Sequence, residues 1–162
     1  SIKNKIALAV LLIFSFTLLL RTDYLILSNF SAAPIPKLDL GQYINDWPSG
    51  GGIKEAVGFF KKEAKKGKVY IATQGTFGLM PFALEIYLIN NPNIKIEGYW
   101  PVGDVIPAKV IEESKKTPTY FLFYQPCSSC KDTGTAPIAW NLTPILQTKR
   151  GLNNYTSIYR IK

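Results

Sequence analysis

The chain has 162 residues, of which 47% are hydrophobic and 13% aromatic, and its net charge is +8. This length suits one domain with a sizeable core, and the apolar content excludes an intrinsically disordered chain. The lysines are spread along the chain without a nucleic-acid motif, so we expect no nucleic-acid partner; an anionic membrane surface accounts for the charge. The chain has no histidine, which excludes Ser–His–Asp and Cys–His catalysis.

The first segment, residues 1–27, predicts a transmembrane helix with its flanks. Residues 6–20 carry no charge, and extension of this run toward Ile2 gives enough length to cross a hydrocarbon core of ~30 Å. Lys3 and Lys5 precede the run as they would in a signal peptide, but the small-residue sequence "SAAP" lies too far beyond it for cleavage. We therefore expect membrane lipid as a partner and, by the positive-inside rule, an extracytoplasmic location for the rest of the chain.

The chain begins with Ser1 rather than methionine. We therefore expect coding sequence upstream of Ser1, and an upstream transmembrane region of the same protein as a partner of this chain. The alternative is a stand-alone, membrane-anchored binding or interaction domain.

Residues 28–51 predict a Pro/Gly-rich connector, whose end reads "DWPSGGG" before the helical pattern "IKEAVGFF". A glycine-rich turn that opens a helix can hold a phosphate, since the first backbone N–H groups of a helix are free. A nucleotide-binding loop, however, follows a strand and has Ser or Thr after its lysine, whereas Glu55 follows Lys54 here. We expect a tight turn at these glycines, with weaker anion binding as a second role.

From residue 52 to 162 the pattern predicts an extracytoplasmic α/β domain. An apolar helix face is followed by strand patterns at residues 68–73, 93–100 and 119–125, which alternate with helix patterns at 78–89 and 107–116. The helix at 78–89 is apolar on nearly all sides, which predicts a buried helix. The alternation predicts a small three-layer, mostly parallel, Rossmann-like sheet, and "RGLNN" between two strand patterns predicts a C-terminal antiparallel hairpin.

Cys127 and Cys130 follow the third predicted strand directly. The sequence resembles a thioredoxin active site superficially, but Gly134 and Pro137 interrupt the helix that would lower a thiol pKa. We expect a local disulfide outside the cytoplasm, with thiol–disulfide exchange by a thioredoxin-like protein as the alternative. Two cysteines without histidine are too few ligands for zinc, so we expect no metal and no other cofactor.

The segment "QYINDWPSGGGIKEAVGFFKKEAKKGKVYIATQGTFGLMPFALEIYL" resembles the extracytoplasmic C-terminal domain of prokaryotic glycosyltransferases of the GT-C superfamily, similar to dolichyl-phosphate-mannose protein mannosyltransferases. In that family a last membrane helix is followed by "QYI..WP.G.G..E" and then by an "A.EGTFGL.P..LEIYL"-like segment. "GYWP" at 98–101 and "PTYFLFYQ" at 118–125 also fit, so that the likeness covers roughly residues 1–130. Gln74 departs from the pattern, which has an acidic residue there.

The resemblance implies that the whole protein transfers a sugar from a polyprenyl-phosphate carrier to an acceptor on the outer face. The catalytic acidic residues of the superfamily lie in the first outer loop, which this chain does not contain, so no residue here is expected to be catalytic. The chain would be accessory to binding of the lipid-linked donor or the acceptor. The residues expected to contact lipid phosphate or acceptor are Trp47, Gly50, Gly51, Gly52, Lys54 and Glu85; for the glycines and Glu85 a purely structural role is the alternative.

Overall fold

The computed structural model describes residues 2–29, 32–42, 51–151 and 153–162. The chain divides between Lys37 and Leu38 into two compact units. The first contains helix α1 (Ile2–Ser28), a helix of 27 residues that is long and apolar enough to cross a membrane. This agrees with the predicted span; the side of the membrane on which the rest of the chain lies stays a prediction.

The predicted alternation of helices and strands is confirmed, with ends that differ by a few residues. A one-turn helix, α2 (Lys37–Leu40), lies in the predicted connector, where the sequence indicated none. The further elements are α3 (Ile53–Ala64), β1 (Val69–Gln74), α4 (Phe82–Leu88), β2 (Ile94–Tyr99), α5 (Ala108–Ser114), β3 (Thr119–Phe123), a 3-10 turn (Ile138–Trp140), β4 (Pro144–Gly151) and β5 (Asn154–Ile161).

The five strands form one sheet in the order β2-β1-β3-β5-β4. β1 pairs in parallel with both β2 and β3, whereas β5 is antiparallel to β3 and to β4. The predicted C-terminal hairpin is therefore confirmed, with β4 at the edge of the sheet. Its second strand, β5, lies in the interior of the sheet and joins the hairpin to the parallel part.

The sheet carries a separate apolar core on each face, which gives the predicted three layers. Tyr120 and Leu122 of β3 pack with α3 and α4, whereas Phe121 and Phe123 pack with α5 and the 3-10 turn. This division follows from the alternation of side chains along a strand. β1 and β3 are buried along their whole lengths because helices cover both of their faces.

The prediction that the helix at residues 78–89 is buried on nearly all sides is wrong, because the side that faces away from the sheet is exposed. Leu84 and Leu88, four residues apart, are buried against the sheet. Ile86 and Ile89, by contrast, are 74% and 72% exposed. A helix on one face of a sheet needs only one apolar stripe, so the remaining apolar side chains of this segment lie on the surface.

Two glycines in the domain have opposite surroundings. A Cβ atom on Gly98 of β2 would lie 2.2 Å from the carbonyl oxygen of Gly75, because the turn after β1 packs backbone on backbone against β2. A Cβ atom on Gly58 of α3 would have nothing within 4 Å. The first glycine is therefore needed for close packing, and the second is not.

We expect Gly98→Ala to lower the free energy of unfolding by about 1–3 kcal/mol, the usual cost of overpacking. Gly58→Ala is the matched control and should be neutral or stabilising by about 0.5–1 kcal/mol, since alanine suits a helix interior better than glycine. Urea unfolding of the full chain in detergent, followed by near-ultraviolet circular dichroism, measures both. Equal midpoints for the two variants would contradict the proposed backbone contact.

Candidate functional site

A pocket of about 290 Å³ lies at the carboxyl ends of the three parallel strands. Gly75, Thr76 and Phe77 line it from the turn after β1, Trp100 from the turn after β2, and Gln125 from the loop after β3. The helix after β1 packs on one face of the sheet and the helix after β2 on the other. Open α/β sheets bind ligands in the crevice that such a change of face leaves at the strand ends.

The lining of this strand-end pocket combines flat apolar surfaces with neutral polar groups. Phe77 is 80% exposed and Trp100 is 57% exposed, although most aromatic rings of the domain are buried. Thr76 contributes a hydroxyl group and Gln125 an amide group. No residue in the lining is ionisable near neutral pH. Such a lining suits a neutral ligand with apolar faces and hydrogen-bonding edges better than it suits a phosphate.

The buried side chain of Gln74 fixes the loop after β3 against the end of β1. Its Oε1 accepts hydrogen bonds from the backbone N–H groups of Tyr124 at 3.2 Å and Gln125 at 2.9 Å. Its Nε2 donates to the carbonyl oxygen of Pro126 at 3.5 Å. A glutamate, which the resemblance leads one to expect at this position, could accept the first two bonds when ionised but could not donate the third.

Two further hydrogen bonds lie beside the pocket, and one of them holds the side chain of Gln125. The backbone N–H of Gly75 donates to the carbonyl oxygen of Tyr99 at 2.8 Å, which joins the ends of β1 and β2. Gln125 Nε2 donates to the hydroxyl oxygen of Tyr124 at 2.5 Å. Burial raises the pKa of the Tyr124 hydroxyl, so this group stays neutral. The amide of Gln125 is thereby held in place before a ligand binds, which lowers the entropy cost of binding.

The cysteines lie in the same loop after β3, and the structure joins Cys127 and Cys130 in a disulfide with a Cα–Cα distance of 5.3 Å. Cys130 also forms an isolated β-bridge with Pro137. In the described chain the next helical element is the 3-10 turn Ile138–Trp140, so the cysteines do not open an α-helix. The arrangement that lowers a thiol pKa in thioredoxin-like sites is not built here. The disulfide instead closes residues 127–130, two residues beyond Gln125 in the loop after β3.

Of the residues predicted to contact a lipid phosphate or the acceptor, Trp47 and Gly50 lie outside the described residues. Gly51 and Gly52 pack against the hairpin: Thr156 Oγ1 donates to the carbonyl oxygen of Gly51 at 2.7 Å. A Cβ atom on Gly52, whose φ is +84°, would lie 2.5 Å from Thr156 Cβ. Both glycines are thus needed for the close entry into α3, and their contact with a ligand stays a prediction.

The other two predicted residues, Lys54 and Glu85, do not line the strand-end pocket. Lys54 is exposed on α3, where it lines a groove of about 360 Å³ with Ile53, Val57 and Tyr87. Glu85 lies half-buried on α4. Their contact with lipid phosphate or acceptor also stays a prediction.

Sequence reasoning did not single out Phe77, Trp100 or Gln125 as site residues. The signal was available, since Trp100 and Gln125 end two predicted strands and Phe77 follows the strand before them, and the carboxyl ends of parallel strands meet at one edge of a sheet. It also missed Arg150, which the sequence places in the hairpin turn. Arg150 is only 6% exposed, and its guanidinium donates to the carbonyl oxygens of Tyr155, at 3.1 Å, and Tyr124. Burial lowers the pKa of this guanidinium.

A polar cluster at the β1–β2 edge has a structural role. The hydroxyl of Tyr70 donates to Glu97 Oε2 at 2.9 Å and accepts from the hydroxyl of Tyr99 at 2.5 Å, while Lys109 Nζ lies 2.6 Å from Glu97 Oε1. Burial raises the pKa of Tyr70. Burial would also raise the pKa of Glu97, but hydrogen bonds from Lys109 and Tyr70 outweigh it and hold that pKa below its usual value. Each member is paired within the cluster, which favours stability over catalysis.

Within the described residues no group of three or more Cys, Asp and Glu side chains could hold a metal ion. Fold and pocket together define a mixed α/β domain with a neutral pocket, lined in part by aromatic side chains, at its strand ends. Comparison of the chain with protein families, curated proteins and solved structures found no match. The resemblance to GT-C glycosyltransferases therefore stays a prediction from the sequence.

We expect Gln74→Leu to destabilise the domain by about 2–5 kcal/mol, because it leaves the buried N–H groups of Tyr124 and Gln125 without an acceptor. Gln74→Glu is the comparison variant: at pH 4 its protonated carboxyl group can accept both bonds and donate the third to Pro126, so its loss at that pH should be smaller. Urea unfolding at pH 4 measures the two differences. If both variants lose the same stability, the accepted bonds do not hold the loop.

Proposed function

We propose that this chain is the extracytoplasmic, non-catalytic part of a membrane glycosyltransferase that uses a polyprenyl-phosphate sugar, and that its strand-end pocket binds the sugar of the donor or the acceptor. One observation carries the proposal. The segments that resemble the family, at residues 74–81, 98–101 and 118–125, include the carboxyl ends of three different strands, and each contributes residues to the lining of this one pocket. A shared pocket lined by all three segments supports one ligand for them.

The chemistry of the pocket supports a sugar as that ligand. A pyranose ring has an apolar C–H face and a rim of hydroxyl groups, which match the exposed ring of Trp100 and the polar groups of Thr76 and Gln125. The lining offers no carboxylate or amine for proton transfer near neutral pH, which favours binding over chemistry. The catalytic acids would come from an outer loop upstream in the same protein.

A binding site separate from the catalytic residues can still raise the rate of transfer. Contacts with parts of the substrate that do not react hold the reacting groups at a high effective concentration. Helix α1 is long and apolar enough to hold the domain at the bilayer, where a polyprenyl-phosphate carrier resides. The sugar on such a carrier lies at the bilayer surface, within reach of a tethered domain.

We expect Trp100→Ala to lower kcat/KM for sugar transfer by about two- to ten-fold, the usual contribution of one aromatic stacking contact. The matched control is Ile138→Ala, which removes another exposed apolar side chain, 69% exposed, from outside the pocket. Membranes that contain the whole protein as its gene encodes it are supplied with polyprenyl-phosphate-mannose or -glucose, and transfer of labelled sugar is measured.

Equal rates for the two variants would contradict the role of the pocket. Absence of transfer by the unaltered protein from either carrier would contradict the glycosyltransferase itself. If the gene encodes no further membrane spans upstream of Ser1, the stand-alone anchored binding domain replaces the proposal.

A further inference from the structure

Large apolar side chains line the outer face of α4 and its C-terminal end. Phe82 is 45% exposed, Ile86 74%, Tyr87 59%, and Ile89, directly after the helix, 72%. Phe77, in the turn before the helix, is 80% exposed. Soluble surfaces expose single apolar side chains commonly but rarely group them, so this group indicates a contact surface.

The neighbouring helix α3 adds positive charge to the same layer. Residues 53–68 contain six lysines and two glutamates. Lys54, Lys61, Lys62 and Lys65 are exposed, and none of them forms an ion pair with any residue that the structure describes. Tyr87 of α4 and Lys54 of α3 line one groove, which places apolar and basic side chains next to each other.

Negative groups on this layer are few. Glu63 is paired with Lys66 at 2.5 Å and accepts from Tyr120 at 2.9 Å, which leaves Glu55 and Glu85. The opposite layer, which contains α5, differs: Lys95, Lys109 and Lys116 pair with Glu113, Glu97 and Glu112 at 2.9, 2.6 and 3.2 Å. The layer that exposes the apolar group therefore carries more lysines without an ion pair than the α5 layer does.

We propose that the layer of α3 and α4 docks onto an anionic bilayer surface, with the α4 apolar side chains in the headgroup–acyl boundary and the α3 lysines on lipid phosphates. Helices that lie in the interface have this composition, apolar on one side with lysines beside it. Each lysine near an anionic surface strengthens docking by about five-fold. Docking requires a nearby membrane but not glycosyltransferase activity, so the docking proposal and the proposed function are tested independently of each other.

The test uses the full chain, with its disulfide intact, in nanodiscs of phosphatidylcholine with or without about one third phosphatidylglycerol. A cysteine at Gly58, where a Cβ would have open space, carries a bimane probe on α3. A second protein carries the probe at Ala108, exposed on α5. Quenching by lipids with a nitroxide in the acyl chain reports contact with the bilayer. We expect strong quenching at position 58 in anionic nanodiscs only, and little at position 108.

The charge is tested with two variants that each lose three lysines. In the first variant, glutamine replaces Lys54, Lys61 and Lys62. This variant should shift the docking equilibrium, as reported by quenching at position 58, by about a hundred-fold toward the undocked state. In the second variant, glutamine replaces Lys109, Lys115 and Lys116 on the opposite layer. This variant should leave the quenching at position 58 unchanged. A further variant, Ile86→Ser with Ile89→Ser, should also weaken docking, since it removes exposed apolar surface without disturbing the buried side of α4.

Equal quenching at the two probe positions, or equal effects of the two lysine variants, would overturn the proposal. So would the absence of quenching at position 58 in nanodiscs without other protein, which would assign this face to a protein surface instead. Since none of these measurements involves sugar transfer, failure here leaves the transfer assay with Trp100→Ala as the separate test of the proposed function.

Discussion

The organisation of the domain depends on how the ends of three parallel strands are held together. Gln74 is fully buried there, and its side-chain amide forms hydrogen bonds with three backbone groups of the loop after β3. Beside it, the turn after β1 lies against Gly98 with no room for a side chain. These contacts leave a pocket whose aromatic and amide groups are already in place.

Around this fixed point the two helical layers differ in chemistry. The α5 layer pairs Lys95, Lys109 and Lys116 with glutamates, and its polar cluster with Tyr70 is internally satisfied. The α3–α4 layer exposes apolar side chains and unpaired lysines. Phe77 contributes to both the pocket and the exposed apolar group before α4. A ligand carried by a bilayer lipid would meet both features, which is why we connect the pocket with a lipid-linked sugar.

Much of the fold could be predicted from the sequence, because apolar residues that recur every two or every 3.6 positions mark the buried face of a strand or of a helix. The sequence predicted the hairpin from turn residues and placed Cys127 and Cys130 in one loop. It did not predict the exposure of Ile86, since an apolar run does not say how many of its sides are covered. Nor did it predict the burial of Arg150, because the carbonyl oxygen of Tyr124 to which its guanidinium donates is distant in sequence and is brought near only when the sheet is assembled.

The most direct test of the account is a titration of the full chain in nanodiscs with undecaprenyl-phosphate-mannose, followed by the indole N–H resonances. We predict a saturable shift at Trp100, which lines the pocket, and little change at Trp140, whose Nε1 donates to the carbonyl oxygen of Gly103 at 3.0 Å. Undecaprenyl phosphate without a sugar should leave Trp100 unchanged. A shift of equal size with the sugar-free lipid, or none with either lipid, would contradict binding of the lipid-linked donor sugar in the strand-end pocket.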